Sequence, residues 1–143
     1  GVGPNAKVEQ KLAEVKIGEA RIIRDADKNN IILNFGSLLY IAEEVAHSLD
    51  LTLIDMRFVK PLDEEILLEY LQTADIFFSI EDGSVMGGAG SAVQEFCSEN
   101  NINTKSLLFG IPDKFIEHAS RDEMLIEAGL SPKQIISKIK ELI

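Results

Sequence analysis

The chain has 143 residues, 45% of them hydrophobic and 27% charged, and its 14 Lys and Arg against 24 Asp and Glu give a formal net charge of −10. That length suits a single domain around one core, and that charge repels phosphate backbones and anionic lipid, so neither nucleic acid nor membrane is an expected partner. The single cysteine, Cys97, excludes an internal disulfide, and the two histidines lie too far apart in sequence for a Cys/His metal site, which fits a reducing compartment.

No apolar run reaches the roughly 20 residues that span a bilayer. The sequence opens Gly1-Val2-Gly3-Pro4 without methionine and without a charged-then-apolar signal, so it reads as a piece of a longer polypeptide. Residues 1–19 read as a linker and residues 20–143 as the domain. Ala20 to Arg24 and Ile31 to Phe35 are β-branched runs separated by Asp25-Ala26-Asp27-Lys28-Asn29-Asn30, the pattern of an antiparallel hairpin with a longer loop. Asp25, Asp27 and Asn29 imitate the start of a calcium loop, but Asn30 stands where glycine is needed and Gly36 where a bidentate glutamate is needed, so a turn is the expected reading.

Leu38, Ile41, Ala42, Val45, Ala46 and Leu49 then fall at helical spacing, with Glu43, Glu44 and His47 on the polar face, where Glu43 and His47 are placed for a solvated ion pair. Leu51 to Met56 reads as a buried strand, and Pro61-Leu62-Asp63 opens a helix with Asp63 as its cap and Leu62 and Leu67 as a hydrophobic staple. Ile76 to Ile80 is a third buried strand. It leads through Glu81-Asp82-Gly83 and a Gly-rich turn into a helix with Ala89, Ala92, Val93, Phe96 and Cys97 on one stripe. Ser106 to Phe109 is the last strand. Ser120 with Glu123, and Ser131 with Gln134, mark two further helix starts, the first helix being stopped by Gly129 and the second burying Ile135, Ile136, Ile139, Leu142 and Ile143. Strands alternating with helices predict a three-layer α/β/α domain, with a mostly parallel five-stranded sheet and the first strand as an antiparallel edge.

Gly87, Gly88, Gly90 and Ser91 lie between a strand and a helix, where backbone N–H groups can hold a phosphate. The turn lacks the Lys-Ser/Thr of a P-loop, so close backbone packing is the favoured reading and anion binding the alternative. Glu81 and Asp82 read as a loop contact or a helix-end interaction. His118 has no nucleophile or partner placed beside it, and Cys97, on the apolar stripe, is expected to be a small buried hydrophobe. No catalytic, cofactor-binding or metal-binding set assembles from spacing alone.

The segment Asp55-Met56-Arg57-Phe58-Val59-Lys60-Pro61-Leu62-Asp63 resembles the last domain of the 1-deoxy-D-xylulose-5-phosphate synthase family, enzymes of the transketolase type. Ser79-Ile80-Glu81-Asp82-Gly83, Met86 to Val93, and Gly110-Ile111-Pro112-Asp113-Lys114-Phe115-Ile116-Glu117-His118 are similar to that family in order and spacing, so the likeness runs from about Phe35 to the end. Asp82-Gly83 departs from it, since Glu-Asn or Glu-His is the commoner pair there. Glu81-Asp82-Gly83 also lacks the first glycine of the family's magnesium-diphosphate motif.

The resemblance implies a transketolase C-terminal fold. It also implies a full-length enzyme using thiamine diphosphate and Mg²⁺ to condense pyruvate with D-glyceraldehyde 3-phosphate, as a homodimer in the bacterial cytoplasm or a plastid. By the same resemblance, this domain contacts the upstream domains and is inactive alone, with no cofactor of its own, and its first residues follow the pyrimidine-binding domain. Glu81, Asp82, Gly87, Gly88, Gly90 and Ser91 are the expected interdomain loop. A 2-oxo-acid dehydrogenase E1 β subunit, or a free-standing receiver-like or nucleotide-binding domain, is the alternative.

Overall fold

The computed structural model describes residues 16–83, 88–111 and 120–143. The first three strands and the helix among them are β1 (Arg21–Arg24), β2 (Asp27–Phe35), α1 (Leu39–Leu49) and β3 (Leu51–Asp55). There follow α2 (Glu64–Leu71), β4 (Ile76–Glu81), α3 (Ala89–Glu99), β5 (Lys105–Phe109), α4 (Arg121–Glu127) and α5 (Pro132–Lys140).

The five strands form one sheet in the order β1-β3-β2-β4-β5. β2 runs parallel to both β3 and β4, β4 runs parallel to β5, and only β1 is antiparallel. The mostly parallel sheet with an antiparallel edge strand is therefore as the sequence predicts, but the hairpin is not. β1 pairs with β3, with Arg21 opposite Asp55 and Ile22 opposite Ile54, and not with β2. The physical reason is burial: Ile31 to Phe35 are buried on both faces, which suits a central strand with neighbours on both sides. β1 is exposed at Arg21 and Ile22 and suits an edge.

Successive side chains of the strands point to opposite faces, so each strand serves two cores. Ile31, Leu33, Phe35 and Phe77 meet Leu67 and Tyr70 of α2 and Val93, Phe96 and Cys97 of α3 on one side. Ile32, Leu53, Phe78 and Ile80 meet α1 and α5 on the other. Helices thus cover both faces in three layers.

The helix starts are built as the sequence predicts. Asp63 Oδ1 accepts from the Ile66 N–H at 3.2 Å, and Leu62 and Leu67 share one apolar cluster. Ser120 Oγ accepts from the Glu123 N–H at 3.1 Å, and Ser131 and Gln134 complete a reciprocal capping box. Gly129 adopts φ +76° after α4, a left-handed conformation that glycine reaches without Cβ strain. The last helix buries Ile135 and Ile139 and half-buries Ile136, whereas Leu142 and Ile143 are each 51% exposed, contrary to the expected stripe. They lie beyond the end of α5 and no longer follow its period. The Lys60–Pro61 peptide is cis.

Candidate functional site

In a parallel sheet, ligands and partners meet the carboxyl ends of the strands, above all where the chain turns one way out of one strand and the other way out of its neighbour. Here that point lies between β2, which leads through α1 to β3, and β4, which leads through α3 to β5. Phe35, at the end of β2, is paired with Glu81, at the end of β4. A cleft of about 370 Å³ opens there, lined by Phe35, Gly36, Arg57, Val59, Glu81, Asp82, Gly83, Gly88 and Ala89.

Glu81 is only 4% exposed. Its Oε2 accepts from the Gly90 N–H at 3.1 Å, at the positive end of α3. Burial pushes its carboxyl above the ordinary value of 4.5, against the opposing pull of the Gly90 and Ala89 N–H groups, and the neighbouring Asp82 adds to the rise. Its other oxygen, Oε1, is buried and has no hydrogen-bond partner among the described residues. The anion at the N-terminus of α3 is thus the chain's own carboxylate.

Asp82 is held differently. Its Oδ2 accepts from the Ser37 hydroxyl at 2.6 Å and from the Ser37 N–H at 2.9 Å, and Arg121 Nη2 donates to the same hydroxyl at 2.9 Å. The hydrogen bond from the Ser37 side chain is the largest cause of a carboxyl held below the usual 3.8, and Arg121 acts in the same direction. Glu81 is therefore a helix-end interaction and Asp82 a loop contact, the two readings offered for that pair.

The glycines serve close approach. A Cβ on Gly90 would lie 2.4 Å from Ser79 Oγ and 2.8 Å from Leu108 Cδ2, so α3 reaches the sheet only because no side chain stands there. Gly36 has φ +95°, and a Cβ on it would lie 2.5 Å from Asp82 Oδ1. Gly88 stands before α3 with extended backbone and lines the cleft. Ser91 is half-buried in the first turn of α3. Gly87 lies outside the described residues, as do Met86 and the segment Pro112 to His118.

Sequence reasoning missed Gly36, Ser37, Arg57 and Arg121. Ser37 and Arg121 are separated by 84 positions, and Arg57, part of the Asp55 to Asp63 block, was given no place at this cleft, which it lines from a backbone at φ +62°. His47 is exposed on α1, and the ion pairs among the described residues join Arg24 to Asp50, Lys28 to Asp25 and Lys138 to Glu141, not Glu43 to His47. Asp27 Oδ1 accepts from the Asn29 and Asn30 N–H groups, so the segment read as a calcium-like turn is the start of β2. Cys97 is buried as expected, and burial raises its thiol pKa.

These residues do not fit a thiamine diphosphate and magnesium cradle. The helix terminus that would receive phosphate already holds Glu81, and Asp82 is committed to Ser37.

Residues 18–135 match the family model described as transketolase, C-terminal domain. The chain is 43% identical over 140 residues to the 1-deoxy-D-xylulose-5-phosphate synthase of Marinomonas sp. (strain MWYL1), covering 98% of this chain and 22% of that protein. It is 44% identical over 141 residues to the enzyme of the same description from Pseudomonas syringae pv. tomato (strain ATCC BAA-871 / DC3000), covering 99% and 22%. The chain thus spans about a fifth of the length of these relatives. Among solved structures, one described as "Split gene transketolase, inactive beta4 tetramer" superposes with a TM-score of 0.79 at 26% identity, over 89% of this chain and 43% of that one. A 2-oxoglutarate:ferredoxin oxidoreductase from Magnetococcus marinus shares the fold, with a TM-score of 0.58 at 12% identity over 99% of this chain and 24% of that one.

Proposed function

The chain belongs to the transketolase C-terminal domain family, and from that membership we propose that it is the C-terminal domain of a bacterial 1-deoxy-D-xylulose-5-phosphate synthase, with a structural and interface role. The parent enzyme joins pyruvate to D-glyceraldehyde 3-phosphate, releasing carbon dioxide and leaving 1-deoxy-D-xylulose 5-phosphate. Thiamine diphosphate, when bound with Mg²⁺ in the upstream domains, stores the electron pair left by decarboxylation. Identity of 43–44% over nearly the whole chain supports this reading over a 2-oxo-acid dehydrogenase β subunit.

The observation that carries the role of this domain is Glu81 at the α3 terminus. The N-terminus of α3, where a phosphate would sit, is occupied by the chain's own Glu81, which favours contact over nucleotide capture there. This favours an interface domain over a free-standing nucleotide-binding one. On this reading Glu81, Asp82, Gly88, Gly90 and Ser91 belong to the edge that meets the upstream domains, and residues 1–19 are the linker to them. The same reading takes the parent to be a homodimer of the bacterial cytoplasm. Among the described residues no helix is long and apolar enough to cross a membrane.

Calorimetric titration of the chain with thiamine diphosphate and Mg²⁺ tests the assignment. No saturable heat is expected, while the full-length parent binds and turns over pyruvate. Saturable binding to the chain alone would place cofactor recognition in this domain and overturn the reading.

A further inference from the structure

Arg57 is the charged residue of the cleft for which the domain itself supplies no use. Just beyond β3, the Met56 N–H donates to the Asn34 carbonyl of β2 at 2.9 Å, and the chain then reverses at once. The Phe58 N–H donates to the Met56 carbonyl at 2.6 Å across Arg57, whose φ is +62°. That is a γ-turn of the rare, strained kind, which a residue with a side chain keeps only where its surroundings or its function hold it there. The turn sets Arg57, half-buried, in the wall of the cleft between the ends of β2 and β4. The two acidic residues of that wall are engaged, Glu81 by the Gly90 N–H and Asp82 by Ser37. The Arg57 guanidinium has neither hydrogen bond nor ion pair among the described residues. Its donors form a fixed fork that matches the two oxygens of a carboxylate. Asp82, held ionised at neutral pH, lines the same wall, so a phosphate dianion is repelled there about twice as strongly as a single carboxylate.

We propose that Arg57 anchors the interdomain face by pairing with an Asp or Glu side chain from the part of the parent enzyme outside residues 1–143. The proposal rests on the reading of this edge as the interdomain face and adds the chemistry of the contact. Relatives extend well beyond the matched fifth of their length, so the parent has chain to present such a carboxylate.

Two measurements on the full-length parent test it. Carbodiimide coupling of the Arg57→Lys enzyme, followed by digestion and mass spectrometry, is expected to join position 57 to a carboxylate outside residues 1–143. Phenylglyoxal is then expected to modify Arg57 about tenfold more slowly in the wild type than in a parent whose coupled carboxylate has been changed to its amide, the scale of a lost charged hydrogen bond. Arg21, exposed on β1, should react alike in both. Coupling only to a carboxylate within residues 1–143 overturns the proposal, and so does no coupling at position 57, including the case in which inorganic phosphate protects Arg57 instead. Coupling without the change in reactivity overturns it too, since it marks a neighbour and not a pair. Amide exchange at Gly83, Gly88 and Ala89 separates this from the underlying reading. Slower exchange in the parent than in the chain without a coupled carboxylate sinks the Arg57 pair alone, and unchanged exchange sinks the interdomain face with it.

Discussion

Glu81 and Asp82 are neighbours whose proton affinities move in opposite directions, and the signs can be worked through separately. Asp82 has a folded pKa below 3.8, so the stability it contributes is present above its unfolded pKa and is lost as pH falls through the folded value. Glu81 has a folded pKa above 4.5, so the folded chain holds its proton longer than the unfolded one. Stability therefore falls as pH rises from about 4.5 through the raised value and is level above it. Urea unfolding across pH 3–8 should show Glu81→Gln flattening the upper fall and Asp82→Asn flattening the acid loss. A Glu81→Gln profile parallel to wild type would refute the first assignment. Gly90→Ala is the steric counterpart. A methyl group 2.4 Å from Ser79 Oγ and 2.8 Å from Leu108 Cδ2 must push α3 or its neighbours aside, and about 1–3 kcal/mol of unfolding free energy should be lost.

At the scale of the element, the helix starts were legible because a cap is written within four residues. Asp63 does more than cap α2: its Oδ2 also accepts from the Ala20 N–H at 2.7 Å, tying the approach to β1 onto the start of the helix. Asp63→Ala removes both bonds and should cost about 2 kcal/mol in denaturant unfolding, the upper end for a cap. A loss no greater than that of Ser131→Ala would show that the tie to Ala20 adds nothing. Strand pairing was less legible. Ile22 and Ile31 flank a polar segment and look like hairpin partners, yet Asp27 is already in β2, and Asp27 O accepts from Thr52 Oγ1 of β3 at 2.7 Å. The pairing is decided by which strand buries both faces, a property of the assembled sheet and not of the turn. The cleft shows the same division. Glu81, Asp82, Gly88 and Gly90 stand in one stretch and could be found there, whereas Ser37, Arg57 and Arg121 join it only through topology.

For the whole molecule, the open question is whether the carboxyl edge is packed for this domain or for the enzyme around it, and Gly88 separates the two. Gly90 and Gly36 are glycine for reasons inside the domain, as their contacts show. Gly88 has φ −90° and ψ −168°, extended backbone open to any residue, and lies half-buried at the cleft and at the cap position of α3. Gly88→Thr adds a β-branched side chain while keeping a residue about equally good as a helix cap. The chain alone should then change by less than about 0.5 kcal/mol, since extended backbone takes a β-branched residue without strain and the cap is kept. In the full-length parent the added bulk meets whatever enters the cleft, so thermal unfolding should fall by several degrees and activity per folded molecule should drop. An equal stability change in both, with activity undiminished, would mean that nothing from the rest of the enzyme reaches this edge.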